Sequence, residues 1–125
     1  MTGFARALWR VVLVGAWVLA SAGHVEAAGA LAIGSCAAYG TSYDFSEAET
    51  ARLAALRKCS GACKVVATMR RGCAAYAIDG RNACGAHGYA AAPTLGRAQN
   101  VALRHCYKYG GRDCVVRAWA CDGSG

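Results

Sequence analysis

Eight cysteines are the residues of this 125-residue sequence most suited to chemistry. Cysteines can oxidise in pairs to disulfides, or their thiolates can bind a metal such as zinc. Structural zinc sites usually contain cysteine pairs about two to four residues apart, and only Cys59 and Cys63 have such a spacing. The even number of cysteines favours disulfides, and no Cys-x-x-Cys redox motif occurs. We therefore expect structural disulfides, with no metal and no cofactor.

Residues that could catalyse an acid–base reaction are few. His87 could act as a general base for a serine, and Asp44 with Asp113 could form the carboxylate pair of a glycosidase. The sequence has no Gly-x-Ser-x-Gly, His-Glu-x-x-His or phosphate-loop motif. We expect no catalytic residue, and a small secreted hydrolase using His87 or an acid pair is the alternative. The serines considered as partners of His87 are Ser42, Ser46 and Ser60.

Basic residues are the remaining candidates for function. The chain has 14 Lys and Arg against 7 Asp and Glu, a formal net charge of +7. Aromatic side chains beside cations can stack on sugars or bases and can meet anionic polymers or lipid headgroups. We expect a non-catalytic module that binds an anionic envelope component or a protein. The candidate binding residues are Arg70, Arg71, Tyr107, Lys108, Tyr109 and Arg112.

The N-terminal segment has the pattern of a secretory signal peptide. Arginines precede a short apolar run from Val11 to Ala20, and a polar stretch of small residues follows. The run is too short to span a membrane as a helix. We expect cleavage between Ala27 and Ala28, or else after Ala22, which makes residues 28–125 one exported domain. The mature protein would be periplasmic or extracellular, with no transmembrane segment and no cytoplasmic nucleic acid as partner.

A lipid anchor is the alternative at Cys36, because Ile33 to Cys36 loosely matches the box in which a cysteine is acylated. Acylation of Cys36 would leave seven cysteines, and an odd number leaves one thiol unpaired in an exported protein. The cysteine count therefore opposes this alternative.

Two segments of the chain resemble each other at an offset of 47 residues. Ser46 to Cys59 and Pro93 to Cys106 share five of fourteen residues, and each has small residues at helical spacing. Both are predicted helices. Ser46 with Glu49 would form a capping box, and Thr94 would cap the second helix. The predicted buried stripes are Ala48, Ala51, Ala55 and Cys59, then Leu95, Ala98, Ala102 and Cys106.

Strand-like segments flank each helix, and Asp79-Gly80 is a hairpin signal between two of them. Each half therefore reads strand, strand, helix, strand. We expect an α+β fold in which the two repeats share one core, with six mostly antiparallel strands, two helices and approximate two-fold symmetry. The predicted strands are Ala30 to Ile33, Ala37 to Tyr43, Cys63 to Met69, Ala74 to Ile78, Ala83 to Ala90 and Cys114 to Cys121.

The motifs of these segments resemble the bacterial family called domain of unknown function 4189. The similarity covers about Ala30 to Cys121 and rests on structural motifs. It implies a small exported bacterial protein and provides no catalytic residue. The motifs are ALRKC (55–59), CKVV (63–66), CAAYA (73–77), ALRHC (102–106) and VVRAWAC (115–121).

The repeat also suggests how the cysteines pair, although eight cysteines allow 105 pairings. The first cysteine after each helix can reach the next one across a short loop, and the remaining four can pair with their equivalents in the other repeat. We expect the last two pairs to staple the halves together. The predicted pairs are Cys59–Cys63, Cys106–Cys114, Cys73–Cys121 and Cys36–Cys84.

Overall fold

A computed structural model describes residues 27–123, which form six strands and two helices. The predicted signal peptide lies almost entirely outside the described residues, and so its removal stays a prediction. The elements are β1 (Ala28–Ile33), β2 (Tyr39–Phe45), α1 (Ala48–Lys58), β3 (Lys64–Arg70), β4 (Cys73–Asp79), β5 (His87–Ala92), α2 (Leu95–Lys108) and β6 (Cys114–Cys121).

The six strands form two separate antiparallel sheets of three strands each. Their orders are β2-β1-β3 and β5-β4-β6, so the first strand of each half is the middle strand of its sheet. We call β1 to β3 with α1 the first half, and β4 to β6 with α2 the second half. The predicted α+β fold with two strand-strand-helix-strand units is confirmed.

The middle strands are buried on both faces, which their small and apolar residues allow. Every residue of β1 and of β4 is buried. One face of each middle strand packs against the other sheet and the opposite face packs against a helix, which gives the layers helix, sheet, sheet, helix. The buried core between the sheets consists of Leu31, Ile33, Ala37, Met69, Ala74, Tyr76, Ile78, Ala118 and Ala120.

Each helix lies on its sheet through a stripe of small residues. Ala51 and Ala55 of α1 are fully buried, and so are Ala98 and Ala102 of α2, as the spacing predicted. The opposing strand positions are glycines. A Cβ added to Gly40 would collide with the carbonyl oxygen of Ala55, and one added to Gly88 would collide with that of Ala102. Side chains this small allow the backbones to approach closely, so both halves depend on them.

The two helices begin differently. The Thr94 hydroxyl accepts a hydrogen bond from the Arg97 N–H at 3.4 Å, which confirms the predicted N-cap of α2. The predicted capping box of α1 is wrong. Its N-cap is Glu47, which makes no side-chain cap, because the helix begins at Ala48 and leaves Ser46 one residue outside.

Two predicted strand starts are also wrong. Strand β2 begins at Tyr39 and not at Ala37, because Cys36 and Ala37 have positive φ angles of 54° and 66° and form the preceding turn. Strand β5 begins at His87 and not at Ala83. The Asp79-Gly80 hairpin signal opens a longer loop, in which the Asn82 side-chain oxygen accepts a hydrogen bond from the Cys84 N–H at 3.1 Å.

All eight cysteines are in disulfides, so none of them offers a thiolate to zinc. The bonds join the pairs that the repeat predicts: Cys36–Cys84, Cys59–Cys63, Cys73–Cys121 and Cys106–Cys114. The bond at Cys36 leaves no free thiol there for the acylation considered above.

The expectation that two of these bonds staple the halves together is half wrong. Cys73 of β4 and Cys121 of β6 lie directly opposite each other in the second sheet, so their bond joins neighbouring strands. The bond itself was predicted. It does not reach the first half, because Cys73 belongs to the first strand of the second half. Cys36–Cys84 does link the halves, from the β1–β2 turn to the β4–β5 loop.

One cationic side chain adds a non-covalent link between the halves. The Arg117 Nε on β6 donates a hydrogen bond to the Ala37 carbonyl at 3.3 Å, and its guanidinium lies 5.1 Å from the centre of the Tyr39 ring. Within residues 27–123, no helix has the length and apolar character needed to cross a membrane.

Candidate functional site

The second half carries surface features that the first half lacks, and they begin with the end of its helix. Cys59 ends α1 and is its C-cap, whereas Cys106 is fully buried inside α2, which continues to Lys108. The longer helix and the loop after it place Tyr107 and Tyr109 on the surface, 50% and 69% exposed. The Tyr107 hydroxyl donates a hydrogen bond to the Cys114 carbonyl at 3.5 Å, which anchors the helix end to the start of β6.

Asp79 holds the two loops beside this helix end. Its carboxylate accepts hydrogen bonds from the N–H of Arg81 at 2.9 Å and from the N–H of Arg112 at 3.4 Å. The Gly80 N–H also donates to the Asp113 carbonyl at 2.7 Å. The backbone hydrogen bond from Arg81 is the main cause of a lowered pKa for the Asp79 carboxyl group. This carboxylate therefore fixes the β4–β5 loop against the loop between α2 and β6.

A cleft of about 590 Å³ lies between β5 and the end of α2. Volumes of this size are typical of small-molecule and cofactor sites. Its floor comes from the start of β5, where the absence of a side chain at Gly88 lets the backbone of α2 approach. The lining residues are Gly85, Ala86, His87, Gly88, Tyr89, His105 and Tyr109.

Both histidines of the described chain line this cleft and both are exposed. The Nδ1 of His87 lies 3.4 Å from the Gly85 carbonyl oxygen, and its ring meets the Tyr76 ring edge to face at 6.1 Å between centres. Tyr76 is buried in the core between the sheets, and this burial raises the pKa of its hydroxyl. The imidazole of His87 thus lies between the core and the cleft.

The structure separates the sequence-predicted binding residues into two groups. Arg70 and Arg71 lie at the turn from β3 to β4, beside the residues that precede α2. The other four lie at the opposite end of α2, which is about 21 Å long at about 1.5 Å per residue. These four are Tyr107, Lys108, Tyr109 and Arg112.

Sequence reasoning missed two cations on the outer face of α2. Arg97 and Arg104 line a shallow groove of about 600 Å³ together with Val101 and Tyr107. Residues 95–108 contain no carboxylate, and this was the signal that could have identified the face. In the described part of the chain, Arg97, Arg104 and Lys108 form no ion pair, while Arg52 of α1 pairs with Glu49 at 3.8 Å. The outer face of α2 is thus basic along its whole length.

The geometry opposes Ser42 as a partner of His87, and it opposes the pair of Asp44 with Asp113. Ser42 is fully buried, and its hydroxyl donates a hydrogen bond to the Ala51 carbonyl at 2.6 Å. Asp44 accepts a hydrogen bond from the Gly123 N–H at 2.9 Å, so it lies near one end of β6, while Asp113 precedes the other end. The eight residues of β6 span about 26 Å at about 3.3 Å per residue, far more than the separation of a glycosidase carboxylate pair.

A metal centre has no support in the described residues either, since no three His, Cys, Asp or Glu side chains among residues 27–123 are grouped to hold an ion. The surface that the structure does present is the basic face of α2, with the cleft beside β5 next to it.

The comparisons with known proteins identify a family and give no activity. No curated protein and no solved structure matches the chain. A family model described as a domain of unknown function matches residues 28–121, which include every strand and both helices. The chain therefore belongs to the family of this domain of unknown function, DUF4189.

Proposed function

We propose that this protein is an exported, non-catalytic binding module whose basic α2 face binds an anionic envelope component or an acidic protein. The observation that carries the proposal is the charge of α2. Arg97, Arg104 and Lys108 point to an acidic partner because the helix has no carboxylate to neutralise them.

Spacing along the helix supports a single contact surface. Residues 97, 104 and 108 are separated by seven and four positions, which places them on one side of an α-helix. Val101 and Tyr107 lie in the same shallow groove and would supply apolar and aromatic contact between the cations.

Export is supported by the disulfides and by the N-terminal pattern. Four disulfides in a chain of this size are typical of oxidising compartments such as the periplasm or the extracellular medium. There the protein would meet acidic polymers, anionic lipid headgroups and acidic proteins.

The proposal is tested with the folded, disulfide-bonded protein and poly-L-glutamate as the acidic probe. The combined variant Arg97→Ala, Arg104→Ala and Lys108→Ala should weaken binding by about tenfold or more at low salt. Binding by the native protein should fall as salt is raised, because charges at a surface are screened beyond about 10 Å at 0.1 M salt.

A matched control exists in the first half. Arg57→Ala, Lys58→Ala and Lys64→Ala remove the same charge from exposed positions away from α2. This control should retain most of the affinity. Equal losses in the two triple variants would mean that only net charge matters, and would refute the α2 face as the site.

The predicted contacts beyond this helix face are tested separately. Replacing Lys108 and Arg112 by Ala should weaken binding if the partner extends over the second loop. Replacing Arg70 and Arg71 by Ala should weaken it if the partner reaches the β3–β4 turn.

A further inference from the structure

Four strands lie at the edges of the two sheets, and β5 differs from the other three. Unpaired backbone groups at a sheet edge can pair with a strand from another molecule, and proteins usually protect such edges with bulges or charged side chains. The edges here are β2, β3, β5 and β6.

Three of these edge strands carry both kinds of protection. The pairings of β2, β3 and β6 with their middle strands each contain a register shift. Each of these strands also contains at least one charged residue, such as Asp44, Lys64 or Arg117.

Strand β5 carries neither kind of protection. It pairs with β4 over six consecutive residues without a register shift. Its sequence HGYAAA contains no Lys, Arg, Asp or Glu. Among the described residues, β5 is thus the one regular edge strand without a charged barrier.

The hydrogen-bond pattern shows which backbone groups this edge offers. The Asp79 N–H donates to the Ala86 carbonyl at 3.0 Å, so these two residues form a hydrogen-bonded pair. Such pairs alternate along an antiparallel ladder, and the next one is Ala77 with Gly88. The N–H and C=O groups of His87 and Tyr89 therefore point away from β4, and both residues line the cleft.

Cationic residues lie beyond both ends of this edge. Next to the C-terminal end of β5, a smaller cleft of about 270 Å³ is lined by Arg70 and Arg71. Next to its N-terminal end, Lys108 immediately precedes Tyr109, which lines the larger cleft. No carboxylate lines either cleft.

We propose that β5 is a strand-addition site for an extended acidic segment of a partner protein. The segment pairs its backbone with His87 and Tyr89, and its carboxylates reach the cations at the two ends of β5. A segment that lies along β5 would contact both groups of sequence-predicted binding residues, which lie at opposite ends of α2. The inference rests on the proposed function for the acidity of the partner, and it specifies that the partner is a polypeptide.

A second copy of this chain is a less suitable occupant. Pairing of β5 with its own copy would bring together two edges that are both flanked by Arg and Lys residues and lined by no carboxylate. Like charges in such an arrangement repel, whereas an acidic segment is complementary.

The test compares two synthetic peptides of equal charge, using the native disulfide-bonded protein. One is an acetylated and amidated octapeptide of alternating Glu and Thr, and the other is the same peptide N-methylated at every residue. N-methylation removes the backbone N–H of every residue and leaves the C-terminal carboxamide as the one remaining amide donor. Strand addition predicts that the methylated peptide binds at least about tenfold more weakly, which corresponds to the loss of a few net hydrogen bonds. Equal binding of both peptides would overturn the inference.

A pair of variants tests the same contact from the protein side. His87→Ala removes the imidazole and keeps the outward N–H, whereas His87→Pro removes both. Proline is tolerated at the first residue of an edge strand. We expect His87→Pro to bind the unmodified peptide about tenfold more weakly than His87→Ala. If the proline variant does not fold, the methylated peptide still decides the question.

Two further results separate the possible failures. If the α2 triple variant loses poly-L-glutamate binding while the methylated and unmodified peptides bind equally, the result supports the proposed function and refutes strand addition. If N-methylation weakens peptide binding and the α2 variant binds poly-L-glutamate normally, the α2 face is refuted as the site and strand addition is supported. A native dimer in sedimentation that His87→Pro converts to a monomer would place a second copy on β5 and overturn the choice of partner.

Discussion

The two halves of the protein share one plan and differ where the second half meets solvent. In both halves, a stripe of alanines on the helix packs against a glycine of the neighbouring strand. This glycine is Gly40 in the first half and Gly88 in the second half. The residue after the last apolar residue of each middle strand also donates an equivalent backbone hydrogen bond. Gly34 donates to the Ala38 carbonyl at 2.9 Å, as Asp79 donates to that of Ala86.

The differences lie in the loops and in the length of the helix. Helix α1 has 11 residues and α2 has 14. The β4–β5 loop is longer than the β1–β2 turn, and His87 and Tyr89 take the places of Tyr39 and Thr41 beside the shared glycine. What the halves share maintains the packing, and what they do not share forms the cleft and the basic face. This comparison is the reason why we propose the binding surface on the second half.

The largest expected effect comes from the two disulfides of equal span. Cys36–Cys84 and Cys73–Cys121 each close a loop with a sequence separation of 48. Loop-closure entropy gives about 4 kcal/mol for either, against about 2 kcal/mol for a bond with the separation of Cys59–Cys63. Replacing each pair by Ala and measuring urea unfolding tests the order.

Burial should separate the two bonds of equal span. Cys73 is fully buried, whereas Cys36 and Cys84 are exposed, so loss of Cys73–Cys121 also removes core contacts. We expect it to be the more costly of the two. If loss of Cys36–Cys84 costs more, the bond between the halves contributes more than chain entropy alone.

The next effect tests whether the shared glycines are equivalent. Gly40→Ala and Gly88→Ala each push a methyl group against helix backbone, which cannot move aside as a side chain can. We expect each to lower the free energy of unfolding by about 3 kcal/mol. Gly96→Ala is the control, since a Cβ there meets nothing within 4 Å and alanine favours the helix. A large difference between the two core glycines would break the equivalence of the halves.

A smaller effect should be confined to the second half. Asp79→Asn weakens the hydrogen bonds that hold the two loops, and Gly34 in the first half has no comparable side chain to lose. Because the folded state lowers the pKa of Asp79, its contribution is complete above the unfolded pKa of about 3.9 and is lost as pH falls through the folded value.

Unfolding followed as a function of pH should therefore show less acid sensitivity for Asp79→Asn than for the native protein. Equal acid sensitivity of the two proteins would contradict this role for the carboxylate. Peptide binding gives a second readout, because a displaced β4–β5 loop should also alter the cleft at Gly85 and Ala86.

The smallest effect concerns the two helix starts. Thr94→Ala should cost up to about 1 kcal/mol, because the hydroxyl caps α2. Ser46→Ala should cost almost nothing, because Ser46 lies outside α1 and makes no cap. Thermal unfolding of both variants checks the contrast, and equal shifts would show that the cap at Thr94 has little value.

Periodicity and cysteine arithmetic predicted the elements of the fold because packing constrains them directly. The alanine stripes identified the buried faces of both helices, and the repeat indicated the disulfide pairs. The pattern could not show that the strands separate into two sheets, since every strand has small or apolar residues whichever sheet it joins. It could not show that Cys73 and Cys121 lie in the same sheet either, because strand order within a sheet depends on contacts distant in sequence.

The candidate site was harder to predict because it arises from tertiary contacts. Tyr109 and His105 are close to each other in sequence, but the cleft forms only when the start of β5 lies beside them. Beside the shared glycine, the second half has His87 where the first half has Tyr39, and this difference was the available signal. Its meaning depended on knowing that β5 is an edge strand, which the sequence does not state.

The end of β6 has a consequence for the order in which parts of the fold can form. The buried Asp122 carboxylate accepts hydrogen bonds from the N–H groups of Arg71 at 2.9 Å and Gly72 at 2.8 Å, in the turn that joins the two sheets. Asp122 follows this turn by about fifty residues in the chain, so the turn gains these hydrogen bonds only when the end of β6 is in place. A nonsense mutation at position 121 would remove the Asp122 carboxylate and a disulfide partner together, whereas a protease cut just before Cys121 would leave the fragment tethered through Cys73.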